Sequence, residues 1–247
     1  MIKLSEISCD APEHLDKDEA LEQTKAWVER LAELQAIMYA EQKHSLLVVL
    51  QGMDASGKDG AVRRVFAECN PVGLEVTAFK KPTEEEFAHD FLWRVHKHTP
   101  AKGKIGIFVR SHYEDVLIQR VHKWIGDEHA MKRIQAINAF EELLHFDNNT
   151  HILKFYLHIS KKQQEEELRE RLEEYDKFWK HNSNDWKERD HWDEYMRCYE
   201  EAINASSIPW HIVPVDQRWY RNYVMSKTLV EHLEQLNMQY PPLNKYL

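Results

Sequence analysis

The sequence predicts an α/β fold, an open parallel sheet of about five strands with helices on both faces. Three observations lead there. Apolar strand-like runs alternate with helical stretches from residue 46 to residue 237, the pattern of repeated strand–helix–strand units. The first run, residues 46–50, is unbroken in its apolar character, as a strand buried on both faces requires. That run then passes through a glycine loop directly into a helix, within LLVVLQGMDASGKDGAVRRVFAECN (46–70).

Each element has its own signal. Residues 1–15 read as an irregular arm. Residues 16–42 predict a long helix, because Ala20, Trp27, Leu31, Leu34 and Met38 recur at helical spacing with charges between them. This aromatic and methionine stripe reads as core packing. After the first strand, a helix starts near Gly60 and stops before Asn70-Pro71. Residues 73–80 form a second strand, ending at Lys80-Lys81-Pro82. Thr83-x-x-Glu86 is a capping box for a helix to about His98, which Pro100 and Gly103 break. Residues 104–110 form a third strand. Ser111-x-x-Glu114 is a second capping box, opening a helix over 111–125. A helix over 128–146, a fourth strand over 151–159, a fifth within 208–215 and a last helix over 219–237 complete the series. Ligands sit at the carboxyl ends of such strands. The loops that begin at Gln51, Lys80, Arg110, Ser160 and Asp216 are therefore expected to converge on one cleft.

The chain has 247 residues, enough for a sizeable core, and divides into an arm with a long helix (1–45) and a main domain (46–247). Its net charge of −9 argues against general nucleic-acid binding, so a polyanion needs a local basic patch. Cys9, Cys69 and Cys198 show neither disulfide nor zinc spacing. No signal segment and no membrane-length apolar run is present, so the expectation is a soluble, cytoplasmic protein with no membrane partner. The tail PPLNKYL is expected either to pack on a neighbour or to fray. Residues 160–204 are intensely charged, helical to about Glu174, aromatic and basic over 178–186, and helical again from about Asp190. They read either as a mobile lid or as a solvated helical hairpin.

The glycine loop carries the chemistry. Gly52, Gly57 and Lys58 stand in the spacing G-x-x-x-x-G-K, between a strand and a helix, which makes a Walker A loop. Successive N–H groups of such a loop point at one anion, and the helix N-terminus adds about half a positive charge. The fold is thus expected to be P-loop kinase-like. The residue after Lys58 is Asp59 rather than a hydroxyl-bearing metal ligand, and Asp54 lies inside the loop. A carboxylate is therefore expected to take part in holding metal.

Several segments together resemble the polyphosphate kinase 2 family. They are the loop G-x-D-x-x-G-K-x-G (Gly52, Asp54, Gly57, Lys58, Gly60), GIFVRSHYEDV (106–116), Ile159-Ser160-Lys161, Trp179-Lys180, Asp185, Arg189-x-x-Trp192-Asp193-x-Tyr195, and IPWHIVPVDQRWYRN (208–222). The likeness runs from about residue 46 to the C-terminus, and its HYED variant is similar to the branch that phosphorylates both AMP and ADP. It implies a helical lid, at about 160–204. It also implies reversible phosphoryl transfer from inorganic polyphosphate to AMP or ADP, giving ADP or ATP, with Mg²⁺ or Mn²⁺. Guanine nucleotides are further candidate substrates, and dimers or tetramers are implied. An ATP-dependent nucleoside or nucleotide kinase, or a binding protein with weakened catalysis, stay open as alternatives.

Phosphoryl transfer needs alignment and charge neutralisation more than covalent chemistry. The candidate catalytic residues are Asp54, Lys58, Arg110 and Glu114. The backbone of Gly52, Ala55, Ser56, Gly57, Lys58, Asp59 and Gly60 is expected to cradle phosphate. Lys80 and Lys81 extend the cationic track, with Arg63, Arg64 and Arg120 as weaker candidates. Arg110 ends the third strand, where a guanidinium can hold phosphate oxygens bidentately. Asp54 is the candidate metal ligand and Glu114 the second. Glu114 also has the spacing to complete the capping box with Ser111. In the lid, Arg171, Lys177, Lys180 and Arg189 match basic family positions. His112 is a phosphate contact or simply packed. Two departures from the family stand out. Val109 occupies a position that is usually acidic, which puts more of the metal's work on Asp54, Glu114 or Asp115. Glu166 and Glu167 stand where arginines are common, which predicts weaker polyphosphate binding if they face the polymer.

Overall fold

The computed structural model describes residues 1–243; the last four residues of the PPLNKYL tail lie outside the described residues. The elements run α1 (Lys17–Glu41), β1 (Ser45–Gln51), α2 (Lys58–Val65), β2 (Leu74–Ala78), α3 (Glu84–Ala88), α4 (Trp93–His96), β3 (Ile105–Val109), α5 (Ile118–Val121), α6 (Asp127–Asn148), β4 (Thr150–His158), α7 (Lys161–Glu173), α8 (Ser183–Glu188), α9 (Trp192–Ala205), β5 (Trp210–Pro214) and α10 (Arg218–Glu234).

The five strands form one parallel sheet in the order β2-β3-β1-β4-β5. β1 is central and buried along its whole length, as its unbroken apolar run requires. Fully burying each of its leucines and valines contributes about 1.5–3 kcal/mol. Alternate residues of β4 show both helical layers. Lys154 and Tyr156 share one face; Lys154 meets Glu141 of α6, and Tyr156 meets Met196 and Tyr199 of α9. His151, of the opposite parity, meets His232 of α10. α10 packs in turn on α1 and α2. Trp27 of α1 packs, tilted by 60°, 4.9 Å from Tyr223 of α10, and Leu31, Leu34 and Met38 are buried in the core, so the stripe on α1 is core packing. The arm is irregular but fastened. Leu4 is buried and its N–H donates to Glu200, and the Ile2 N–H donates to Asn204.

Three helices differ from the sequence reading. α2 begins at Lys58, with Gly57 as its N-cap, and ends at Val65. The helix expected from Thr83 to His98 forms its capping box and then breaks into α3 and α4. The side chain of Asp90 accepts from the Leu92 N–H and so competes with the helical ladder. The helix expected over 111–125 opens instead as a 3-10 turn, His112–Val116. Ser111 accepts from the Tyr113 N–H, two residues on, so no reciprocal capping box forms with Glu114. Leu117, at ψ −84°, interrupts the chain before α5.

At the amino edge of the sheet, His44, His145, His151 and His232 form a cluster. Asn149 Nδ2 donates to the Lys43 carbonyl and to His44 Nδ1, which makes that nitrogen an acceptor. His151 Nε2 lies 3.2 Å from that nitrogen and His151 Nδ1 3.2 Å from His232 Nε2, so both ring nitrogens of His151 face other imidazoles and no carboxylate. Burial, with the charges of the other histidines behind it, pushes His151 down to about 4. The unfolded chain, with ordinary histidines near 6.5, binds more protons than the native state below that pH. The His151 contribution to stability is therefore expected to be level above about pH 6.5 and to fall as pH drops toward 4. Urea midpoints at neutral and mildly acid pH check this, and His151→Gln should shrink the difference.

Candidate active site

The carboxyl edge of the sheet opens into a cleft of about 930 Å³. Its floor is the loop from β1 to α2. The loop can turn because Gly57 sits at φ +84°, and a side chain there would strike Arg221, whose Nη1 lies 2.2 Å from the Cβ position. No side chain caps α2, so its first-turn amides stay available to an anion in the cleft. Lys58 is folded back beneath them. Its Nζ donates to the carbonyls of Gly52 (2.7 Å) and Met53 (3.0 Å) and to Ser56 Oγ (3.4 Å). Burial, then the nearby Arg110, push its ammonium down to about 8.

Arg110 reaches the cleft because the chain turns sharply after β3. Its φ is +61°, unusual for a residue with a side chain, and its N–H is held by the Leu50 carbonyl at 3.0 Å. The guanidinium pairs with Asp54 across the loop. Burial alone raises the Asp54 carboxyl, but Arg110 and Lys58 outweigh it and hold it below the usual carboxylate range. Asp54 is thus an ionised, weakly basic group, suited to holding cations rather than taking protons. Glu114 lies behind this pair and does not line the cleft. Burial raises its carboxyl, against the charges of Arg110 and Lys58.

The expected residues divide as follows. Asp54, Ala55, Gly57, Lys58, Asp59, Gly60, Lys80 and Arg110 line the cleft, as do Arg63, Arg64, Arg171, Lys177 and Lys180. Gly52 and Ser56 support the loop from below, and Lys81 is exposed outside the lining. Arg189 points away; it donates to the Lys161 carbonyl and to Gln164, whose amide donates to the Asp54 carbonyl at 3.0 Å. Arg120 is buried between Asp127 and Glu201, and Asp115 between Arg94 and Gln119, so neither serves the cleft. His112 is fully buried against Glu141 and is a packed residue. Val109 lines the cleft where a carboxylate was looked for.

The sequence reading assigned no role to Arg218, Arg221 and Asn222, in the first turns of α10, which also line the cleft. Arg221 donates to the Gly57 carbonyl at 3.0 Å and to Asn222, and burial with the charge of Arg218 pushes it down to about 10. The signal was available, because a helix that follows the fifth strand starts at the same sheet edge. Arg94, which donates to the Lys80 carbonyl, was also missed. Lysines and arginines outnumber carboxylates in the lining, although the chain is acidic overall.

Among the described residues, no group of three His, Cys, Asp or Glu side chains is arranged to hold a metal ion by itself. A cation here would have Asp54, with Glu114 behind it, and would take its remaining ligands from phosphate and water. That donor set fits Mg²⁺ or Mn²⁺, since Mg²⁺ binds through one or two carboxylates plus substrate phosphates.

A parallel sheet in this order, with a glycine loop and a buried lysine at its central strand, defines an α/β protein of the P-loop kinase class. A family model described as polyphosphate kinase 2 matches residues 14–241, and the chain belongs to the polyphosphate kinase 2 family. It is 49% identical over 228 residues to the AMP/ADP-polyphosphate phosphotransferase of Meiothermus ruber, covering 91% of this chain and 85% of that one. It is 40% identical to the ADP-polyphosphate phosphotransferase of Rhodopseudomonas palustris, covering 93% and 84%. The crystal structure of polyphosphate kinase 2 from Arthrobacter aurescens superposes with a TM-score of 0.94 at 40% identity, covering 98% of this chain and 88% of that one.

The turn that carries Arg110 and Glu114 rests on a buried network. Glu141 accepts from Lys154 (2.7 Å) and from the Tyr113 hydroxyl (3.0 Å), and Lys154 and Glu141 are wholly inaccessible. Replacing one member strands the other's charge. Glu141→Leu is expected to cost about 3–5 kcal/mol, read as a lower urea midpoint. Pairing it with Lys154→Met should recover much of the loss.

Proposed function

We propose that this protein transfers the terminal phosphoryl group of inorganic polyphosphate to AMP or ADP, reversibly, giving ADP or ATP. The carrying observation is the cleft, a cradle of main-chain amides at a helix N-terminus walled by lysines and arginines within an acidic chain. The names of the relatives support the donor and the acceptors.

In this reading a phosphate oxygen of the nucleotide attacks the terminal phosphorus of the polymer. One P–O bond forms, the bridging P–O bond breaks, and the shortened chain leaves with the electron pair. A nucleotide phosphate is already ionised at neutral pH, its second pKa being about 6, so the step needs no strong base. This suits Asp54, whose carboxyl is held below its usual range. The α2 amides, Lys58, Arg110 and Arg221 hold and align the phosphates. Lys58 must trade loop carbonyls for phosphate oxygens as substrate enters. Asp54, with Glu114 as second candidate, would hold Mg²⁺ or Mn²⁺, which would supply charge neutralisation on the transferring group.

Residues 160–204 act as a lid, with Arg171, Lys177 and Lys180 facing the cleft and Arg189 tying the lid's two limbs through Gln164 to the loop. The division into residues 1–45 and the phosphotransferase domain 46–247 belongs to the same proposal. Guanine nucleotides as substrates and assembly into dimers or tetramers follow from the resemblance, and a cytoplasmic site from the nucleotide substrates. No helix among the described residues is long and apolar enough to cross a membrane.

The test is turnover without ATP. AMP and ADP, each incubated with polyphosphate and Mg²⁺, should give ADP and ATP by chromatography. No product, with product formed when ATP is the donor to a nucleoside or nucleotide, favours the ATP-dependent kinase. Binding without turnover favours the weakened catalyst.

A further inference from the structure

The cations of the cleft are not equally available. Among the described residues, Arg63, Arg64, Lys80 and Lys180 make no ion pair, whereas Arg218 is held by Glu167 and Glu170 of α7, and Lys177 by Glu170 and by Glu174, the residue just beyond α7. Glu167 is the central carboxylate. Both of its oxygens lie 2.6 Å from Arg218 Nη2, and Oε1 also accepts from Nε at 3.0 Å. Glu170, one turn further along the same face of α7, reaches Arg218 at 3.2 Å and Lys177 at 2.6 Å. The neighbouring Glu166 is turned away. It lies 3.9 Å from Lys162, both half-exposed or more, outside the cleft.

We propose that Glu167, with Glu170, is an internal competitor of the polyphosphate chain for Arg218 and Lys177. This rests on the reading of polyphosphate as donor. The carboxylates present to the two cations the same oxygen anions that a phosphate would, with the same bidentate geometry at the guanidinium. An entering polyanion has to displace them, and the affinity of the cleft is lowered by the strength of the pairs it breaks. Because the pairs join α7 to α10 across the cleft wall, displacement also releases α7 from its resting contact. Glu167 therefore sets donor affinity through its pair with Arg218.

Glu167→Gln keeps the shape and removes the charge. An exposed pair is worth at most about 1 kcal/mol, so Glu167→Gln should lower the apparent KM for polyphosphate by up to about fivefold, with kcat and the KM for AMP unchanged. Glu166→Gln changes the net charge identically and should leave the KM for polyphosphate at the parental value. In the Arg218→Gln background, Glu167→Gln should give no gain. Direct binding of polyphosphate to the same proteins at matched salt provides the second readout, and equal melting temperatures certify folding. If Glu167→Gln does not fold, Glu170→Gln, which removes one carboxylate from Arg218 and one from Lys177 while Glu174 stays on Lys177, carries the comparison. Equal tightening by Glu166→Gln and Glu167→Gln would show a general charge effect and overturn the proposal; so would no tightening by Glu167→Gln. A parent that binds and turns over no polyphosphate overturns the donor reading itself, and is thereby told apart from failure of the competitor alone.

Discussion

The structure depends on one bend, where β1 gives way to α2. Two demands meet there. The chain must turn tightly enough to leave the first amides of α2 uncapped, which Gly57 permits at φ +84°. The carbonyls on the other side of the turn must not be stranded, which the Lys58 ammonium prevents by donating to Gly52 and Met53. One buried cation thus holds the loop in shape and remains within reach of whatever anion the amides bind. Burial lowers its affinity for its own proton, and Asp54 works against that loss.

Electrostatics elsewhere follow the same economy of paired charges. The protein is acidic, and its cleft is basic only locally. Within the cleft, Arg110 is held by Asp54, Arg171 by Asp185 at 2.7 Å, and Arg218 by Glu167. Such pairs keep long side chains ordered and limit repulsion among neighbouring cations. On the proposed reading each would also have to be loosened for polyphosphate to bind, so the carboxylates that organise the site would tune its affinity as well.

Much of this was legible in the sequence because the signals are local. An unbroken apolar run fixes β1, and a glycine loop with its lysine fixes the bend. Arg110, at the end of a strand in a parallel sheet, had to lie at the cleft. The rest was hidden where distant parts of the chain meet. Arg221 reaches Gly57 from 164 residues away, and no local pattern announces that contact. Lys154 lies in the fourth strand and Glu141 in the helix before it, and no local pattern marks them as partners, yet both are wholly buried. The helix expected after Ser111 opens as a 3-10 turn, and from that turn His112 and Tyr113 enter the same buried network, which no local pattern announces. Glu166 and Glu167 looked equivalent, and only the fold shows that one faces the cleft and the other solvent.

The grip of the bend on phosphate is tested most directly by replacing its ammonium. Lys58→Ala, shown to be folded by circular dichroism and melting temperature, is to be assayed for ATP formation from ADP and polyphosphate. A loss of at least about a hundredfold in kcat is the expected result. Turnover at the parental rate would contradict the assignment of the bend as the place where phosphate is held and transferred.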